Sequence, residues 1–154
     1  IIEEGDLFII DTGSVFDSYY CDFDRNYAFG SISDEAKKAY RVTYEATEAG
    51  FNAAQVGNTT SDIFNAMNDV LQKGGALGNT VGRLGHGLGM QLTEWPSNTQ
   101  TDNTILEPGV VLTLEPGMAF LPGKEMVHEE NIVITEDGPE WLSIRAAAEL
   151  PIIQ

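Results

Sequence analysis

Apolar and polar residues alternate along the first thirty positions with a period near two. "DLFIIDTGSVF" is an apolar run whose Thr-Gly pair reads as a turn, and "YYCDFDRNYAFG" is an aromatic, alternating run closed by Gly30. Together they predict two strands joined by a turn. The period then lengthens. Ser33 offers an N-cap with Asp34 and Glu35 in the first turn, and Ala36, Ala39, Tyr40 and Ala46 continue at helical spacing to about Ala54. "VGNTTSD" reads as a loop. Ile63, Phe64, Met67, Val70 and Leu71 form the stripe of a second helix, stopped by Gly74-Gly75. That stripe is core.

From Gly78 to Thr104 the chain is rich in Gly, Asn and Thr, which predicts loop with short strands; a loop of that length is more often functional than passive. The last third, with "GVVLTLEPGMAF", "EMVHEENIVIT" and "EWLS", is strand-rich with Gly and Pro punctuation. Strands, two helices and strands again give an α+β chain with no linker that would divide it. Residues 1–154 are accordingly read as one domain, or part of one.

Charge narrows the partners. The chain carries 24 acidic against 8 basic residues, a formal charge of −16, which argues against nucleic acid or an anionic membrane. Acid excess serves solubility, and it also suits a protein that gathers carboxylates around cations. No apolar run approaches the ~18 residues of a membrane span. The single cysteine, Cys21, excludes an intrachain disulfide and suits a reducing, cytoplasmic compartment. The chain opens on Ile1 at the approach to a strand, and is expected to be a piece of something longer.

Five residues carry the candidate chemistry: Asp11, Asp22, His86, Glu115 and Glu129. The four carboxylates sit in or at the ends of apolar, strand-like runs, and His86 lies between glycines. Carboxylates are costly to bury unless paired or metal-bound. One such residue is an ordinary strand end, whereas four with an imidazole point to cations. Two bridged divalent ions can neutralise four carboxylates, and such a pair activates water and polarises a carbonyl. Oxygen-rich ligation with one imidazole suits Mn, Fe, Co or Zn.

The series "IIDTG…YYCDFDR…GHGLG…LTLEPG…HEENIVIT" resembles that of the pita-bread metallohydrolases, which include prolidase, aminopeptidase P, methionine aminopeptidase and creatinase. The prolidase branch shows Asp-x-Gly, then Ser-Asp-x-Thr-Arg, Gly-His-Gly-x-Gly, Glu-Pro-Gly and a final Glu-Asp at a strand start. Matched residue by residue, these fall on Asp11, Asp22, His86, Glu115 and Glu129, with gaps of 11 residues from Asp11 to Asp22 and 14 from Glu115 to Glu129. The resemblance runs from Gly5 to Ser143 and implies the C-terminal portion of a pita-bread domain, with further helices and strands preceding Ile1. It implies that Asp11, Asp22 and Glu129 contact or bridge two ions, that His86 and Glu115 complete one shell, and that Glu115 acts as general base. It also implies amide hydrolysis of Xaa-Pro peptides, and a homodimer.

Two departures from the peptidases bear on the substrate side. Seven residues after the ligand histidine they carry a second histidine; here stands Thr93, which can donate a hydrogen bond but cannot carry a proton near neutral pH. Two residues before the last glutamate they often carry arginine; here stands Val127. Both departures favour a rival reading, a small-molecule enzyme of the same fold such as a creatinase-like C–N hydrolase or a dimethylsulfoniopropionate lyase. A non-catalytic binding module, like the histone-chaperone relatives that lost the ligands, fits less well because all five ligand types are present.

The remaining polar residues have plainer readings beside functional ones. His128 should face away from Glu129 on a strand, with substrate contact as the alternative. Asp24 shares a strand face with Asp22 and is either an auxiliary ligand or a partner for Arg25 or solvent. Trp95 either lines a substrate pocket or packs under the loop, Glu94 either supports a ligand or is solvated, and Cys21 is expected to be buried and inert. Gly85, Gly87 and Gly89 should let the backbone approach metals and substrate closely.

Overall fold

The computed structural model of the protein describes residues 1–78 and 82–154. A long antiparallel hairpin, β1 (Leu7–Phe16) and β2 (Tyr19–Phe29), is followed by two helices, α1 (Asp34–Ala53) and α2 (Thr60–Gly74). Short strands β3 (His86–Gly87) and β4 (Glu94–Ser97) precede β5 (Val111–Leu114), β6 (Gly117–Leu121), β7 (Lys124–Val127), β8 (Glu130–Thr135) and β9 (Gly138–Trp141). A last short strand, β10 (Ile152–Ile153), pairs in parallel with the end of β2. The sheets run β1-β2-β10, β4-β3-β5-β8-β9 and β6-β7.

The hairpin turns later than the sequence pattern predicts. Thr12-Gly13 lies inside β1, and the chain reverses at Asp17 and Ser18, both with positive φ, as a two-residue turn matched to strand twist requires. Gly13 is demanded by close approach instead: a Cβ there would run into the carbonyl of Cys21 on the paired strand.

Helix α1 starts as its sequence dictates, with the Ser33 hydroxyl accepting from the Ala36 amide. Helix α2 begins inside the segment read as loop. Thr59 and Asp62 form a capping box there, each side chain accepting from the other residue's amide. It ends, as expected, on Gly75 in the left-handed region. The predicted Gly78–Thr104 loop holds only the short strands β3 and β4 as regular structure among its described residues; Asn79–Val81 lie outside them. Tyr40 and Ala46 of α1, Ile63, Met67 and Leu71 of α2, and Leu112, Leu114, Ile132 and Ile134 of β5 and β8 close one hydrophobic core. The helices thereby press the central strands into a rigid support.

A polar clamp ties the hairpin to that support. Arg25 on β2 donates to the Glu129 carbonyl at 3.2 Å, to the Ile144 carbonyl at 2.7 Å and to the Glu130 carboxylate at 3.2 Å. Glu130, fully buried, also accepts from the Ser143 hydroxyl at 2.6 Å and the Ala146 amide at 2.7 Å. Breaking such a pair from one side leaves a charge without its partner. Glu130→Ala should therefore lower unfolding free energy by about 3–5 kcal/mol, measured by denaturant titration, and Glu130→Gln by less, since the amide oxygen still accepts. Equal losses in the two variants would show that packing, not the charge, matters here.

Candidate metal centre

The strands bring the five residues together from five separate segments. Asp11 lies mid-β1, Asp22 on β2, and His86 on β3; Glu115 directly follows β5 and Glu129 directly precedes β8. Backbone pairing fixes their relation. The Glu115 amide donates to the Leu84 carbonyl at 3.0 Å, two residues before His86, and β5 pairs with β8 so that Leu114 lies opposite Glu130. Asp22 is held by Asn131 of β8, whose side-chain oxygen accepts from the Asp22 amide at 3.0 Å and whose side-chain amide donates to the Asp22 carbonyl. The sequence reading passed over Asn131. Its one signal is a polar residue at the head of the apolar run "NIVI".

His86 is 3% exposed, and its Nδ1 lies 2.9 Å from the Gly87 carbonyl. A carbonyl only accepts, so Nδ1 carries the proton and Nε2 presents its lone pair. Nε2 stands 3.8 Å from Asp22 Oδ2, 3.9 Å from Glu129 Oε1 and 4.0 Å from Glu115 Oε2. These separations are too long for hydrogen bonds, but atoms bound to one ion at about 2.0–2.2 Å stand up to about 4 Å apart. Burial lowers the His86 pKa, keeping the ring neutral as a ligand must be.

Two groups of ligand atoms cluster within 4.8 Å: Asp22, His86 and Glu129 in one, and Asp11, Asp24 and Glu129 in the other, with Glu129 common to both. Glu129 Oε1, Glu115 Oε2 and Asp24 Oδ1 are buried without a hydrogen-bond partner among the described residues. Buried acceptors are rarely left so. Burial raises the Glu129 carboxyl to about 9, with the charges of Glu115, Asp22, Asp24 and Asp11 acting in the same direction. Burial likewise lifts Asp24 to about 7, and it raises Asp22 and Glu115. Arg83, also passed over in the sequence, supplies opposing positive charge to Asp22 and Glu115, and Arg25 does so to Asp24. Two guanidiniums against five carboxylates leave an excess of negative charge that divalent cations fit.

Several expectations need correction. His128 is fully buried in the link between β7 and β8, packed edge-on against Tyr40 and Tyr44 of α1 at ring distances of 4.5 and 5.8 Å. It packs against the helix, in keeping with the structural role read for it, and burial depresses its pKa to about 4. Trp95 does not pack under the loop; it is 73% exposed and lines a groove with Tyr20, Leu88 and Glu94. Glu94 accepts from the Gln91 amide at 2.7 Å and so closes its own turn. Thr93 is exposed immediately before β4. Cys21 is only half-buried, with its sulfur 3.4 Å from the Ser14 hydroxyl. The glycines around His86 do mark close approach, but to protein. A Cβ on Gly85, which has φ +126°, would strike the Thr113 carbonyl, and one on Gly87 would lie 2.7 Å from the Trp95 carbonyl.

Known proteins share this fold. The chain is 33% identical over 143 residues to an Xaa-Pro dipeptidase of Pyrococcus furiosus, covering 92% of this chain and 41% of that protein. An X-Pro aminopeptidase from Thermotoga maritima superposes with a TM-score of 0.89 at 29% identity, over 99% of this chain and 43% of the other. The N-terminal domain of a FACT complex subunit from Cicer arietinum superposes at 0.87 with 18% identity, over 97% and 38% of the two chains, a likeness of fold alone. The chain thus spans about two-fifths of the length of such relatives. Its architecture is the α+β pita-bread fold of the prolidases. No described helix is long and apolar enough to cross a membrane. Residues 1–137 match Metallopeptidase family M24, and the chain belongs to that family.

Proposed function

We propose that the chain is the metal-bearing portion of a catalytic domain that uses two divalent ions to hydrolyse an amide bond, with small Xaa-Pro peptides as substrates. One observation carries the reading: Glu129 is common to two clusters of ligand atoms, as a carboxylate joining two ions must be. The Xaa-Pro dipeptidase relative supports the substrate class. Asp11, Asp22 and Glu129 are the carboxylates that would hold or bridge the ions, with His86 and Glu115 completing one shell. Mn, Co, Fe and Zn all suit that donor set. Such a pair supplies Lewis acidity toward a carbonyl and toward water. The protein's own part is to place and discharge groups around it. His86 presents a neutral Nε2, oriented by the Gly87 carbonyl. Glu115, whose side chain is 23% exposed, reaches the solvent side and accepts the proton of the attacking water. The groove bearing Tyr20, Leu88 and Trp95 offers apolar walls for a short peptide.

A second reading rests on Thr93. If the reaction is peptide hydrolysis, its hydroxyl is the donor to the developing oxyanion at a position where the peptidase branch places imidazole. A hydroxyl in place of imidazole is the weaker donor, at a cost bounded by that of losing a donor outright, about 10²–10³-fold in turnover. Native cleavage of Xaa-Pro dipeptides by the full-length protein should then be slow, and Thr93→His should raise it. In a small-molecule enzyme of this fold, Thr93→His instead impairs the native reaction and creates no peptidase. Turnover of dipeptides beside betaine-like and amidine compounds, measured for both proteins, separates the two. Rapid native dipeptide cleavage unchanged in Thr93→His would remove Thr93 from the mechanism.

A further inference from the structure

Asp24 is the carboxylate that the five-residue scheme leaves unused. It pairs directly across the hairpin with Asp11, an arrangement of like charges that destabilises a sheet unless something lies between them. Its side chain is not solvated, since the residue is 4% exposed, and its Oδ1 is buried with no hydrogen-bond partner. The adjacent cation acts on that carboxylate only through space: Arg25 donates to the Asp24 backbone carbonyl at 2.7 Å and directs its other nitrogen to Glu130 and Ile144. Asp24, Asp11 and Glu129 nevertheless place one oxygen each within 4.8 Å of one another. Of the three, Glu129 also has an unpartnered buried oxygen.

We propose that Asp24 is itself a metal ligand, giving the ion between Asp11 and Glu129 a triad of carboxylates, while the neighbouring ion takes the His86 imidazole. This rests on the dinuclear reading above and adds a residue to it. It also makes the two positions chemically unequal. Three carboxylates and no nitrogen favour a hard cation such as Mn²⁺, whereas an imidazole accommodates Zn²⁺ or Co²⁺. The prolidase-like pattern has threonine at this position, whose neutral hydroxyl contributes no charge to the ion.

The test is calorimetric titration of the metal-free, full-length protein with Mn²⁺, for the native chain, Asp24→Asn and Asp24→Thr, with melting temperatures taken with and without the ion. The native protein should bind two ions. In both variants one of the two should weaken by at least ~10-fold, the scale set by losing even an indirect partner of a metal site, while the other is unchanged. At pH 8.5, where Asp24 is ionised, metal-free Asp24→Asn should melt above the native protein, because a buried charge facing Asp11 is gone, and should gain less from Mn²⁺. A residue with only a structural role would show the reverse, a lower metal-free melting temperature with both affinities intact. Two ions bound at native affinity in both variants would overturn the assignment of Asp24 alone. A native protein that binds fewer than two ions overturns the dinuclear reading, and the assignment with it.

Discussion

Glu115→Gln should lower turnover of the full-length protein by about 10²–10⁴-fold, the usual contribution of a positioned general base, with little change in KM. Glutamine keeps an oxygen that can bind a cation but has no basic site for a proton, so it separates the two roles proposed for this residue. The geometry suits both. Glu115 Oε2 is buried, without a partner and 4.0 Å from His86 Nε2, while part of the side chain stays open to solvent. Burial raises its pKa, with Asp22 and Asp11 adding to the shift and Arg83 opposing it. Metal content must be measured in the same preparation. Turnover close to native with normal metal content would exclude Glu115 as the base.

The second large effect concerns stability without metal. Metal-free protein should lose stability as pH rises from about 6.5 to 9, by up to about 1.4 kcal/mol per pH unit for each proton released. Glu129 has a folded-state pKa of about 9 against an ordinary 4.5, because it is buried among other carboxylates. The folded chain therefore holds a proton that the unfolded chain has already given up. The stabilisation is complete below about pH 4.5 and disappears as pH climbs through 9. Asp24, at about 7 against 3.8, adds to the fall in the lower part of that range. His128 works the other way on the acid side. Its folded value of about 4 lies below the ordinary 6.5, so its contribution is present above pH 6.5 and lost as pH falls toward 4. The two effects oppose below 6.5, and the carboxylates act alone above it.

Divalent ions should reverse that slope, since they compete with the same protons and bind more tightly as those leave. Chelation should accordingly lower the melting temperature, and by more at pH 8.5 than at pH 6.5. Glu129→Gln provides the control: its metal-free form should be more stable than native at pH 8.5 and should gain little from added ion. Melting curves across pH, with chelator and with Mn²⁺, read all of this. Metal-free stability that is flat or rising between pH 6.5 and 9 would contradict the buried, uncompensated carboxylates on which the metal reading rests.

Much of this chain is written locally. Helix α1 begins where Ser33 caps it, and α2 ends where Gly75 permits the left-handed turn, because capping is settled by residues within one turn of each other. The apolar stripe through Ile63, Met67 and Leu71 needs only the helical period to identify it as core. The four carboxylates stand out because their polarity conflicts with the apolar runs around them, and His86 because glycines flank it. Where the readings failed, the cause lay across space. The alternation along β2 places Asp22 and Asp24 on one face, but it does not say that Asp11 stands opposite Asp24 or that Arg25 turns to Glu130 instead. Nor does "VHEEN" announce that His128 meets Tyr40 and Tyr44 of α1, since that contact depends on how the helix docks against the strands. Thr12-Gly13 has the composition of a turn, and only the Cys21 carbonyl on the facing strand makes it a place for glycine within β1. A residue's own chemistry and its near neighbours along the chain set what it can do; which of those options it takes is decided by distant partners, such as Asn131 for Asp22, 109 residues on, that only the folded chain brings within hydrogen-bonding distance.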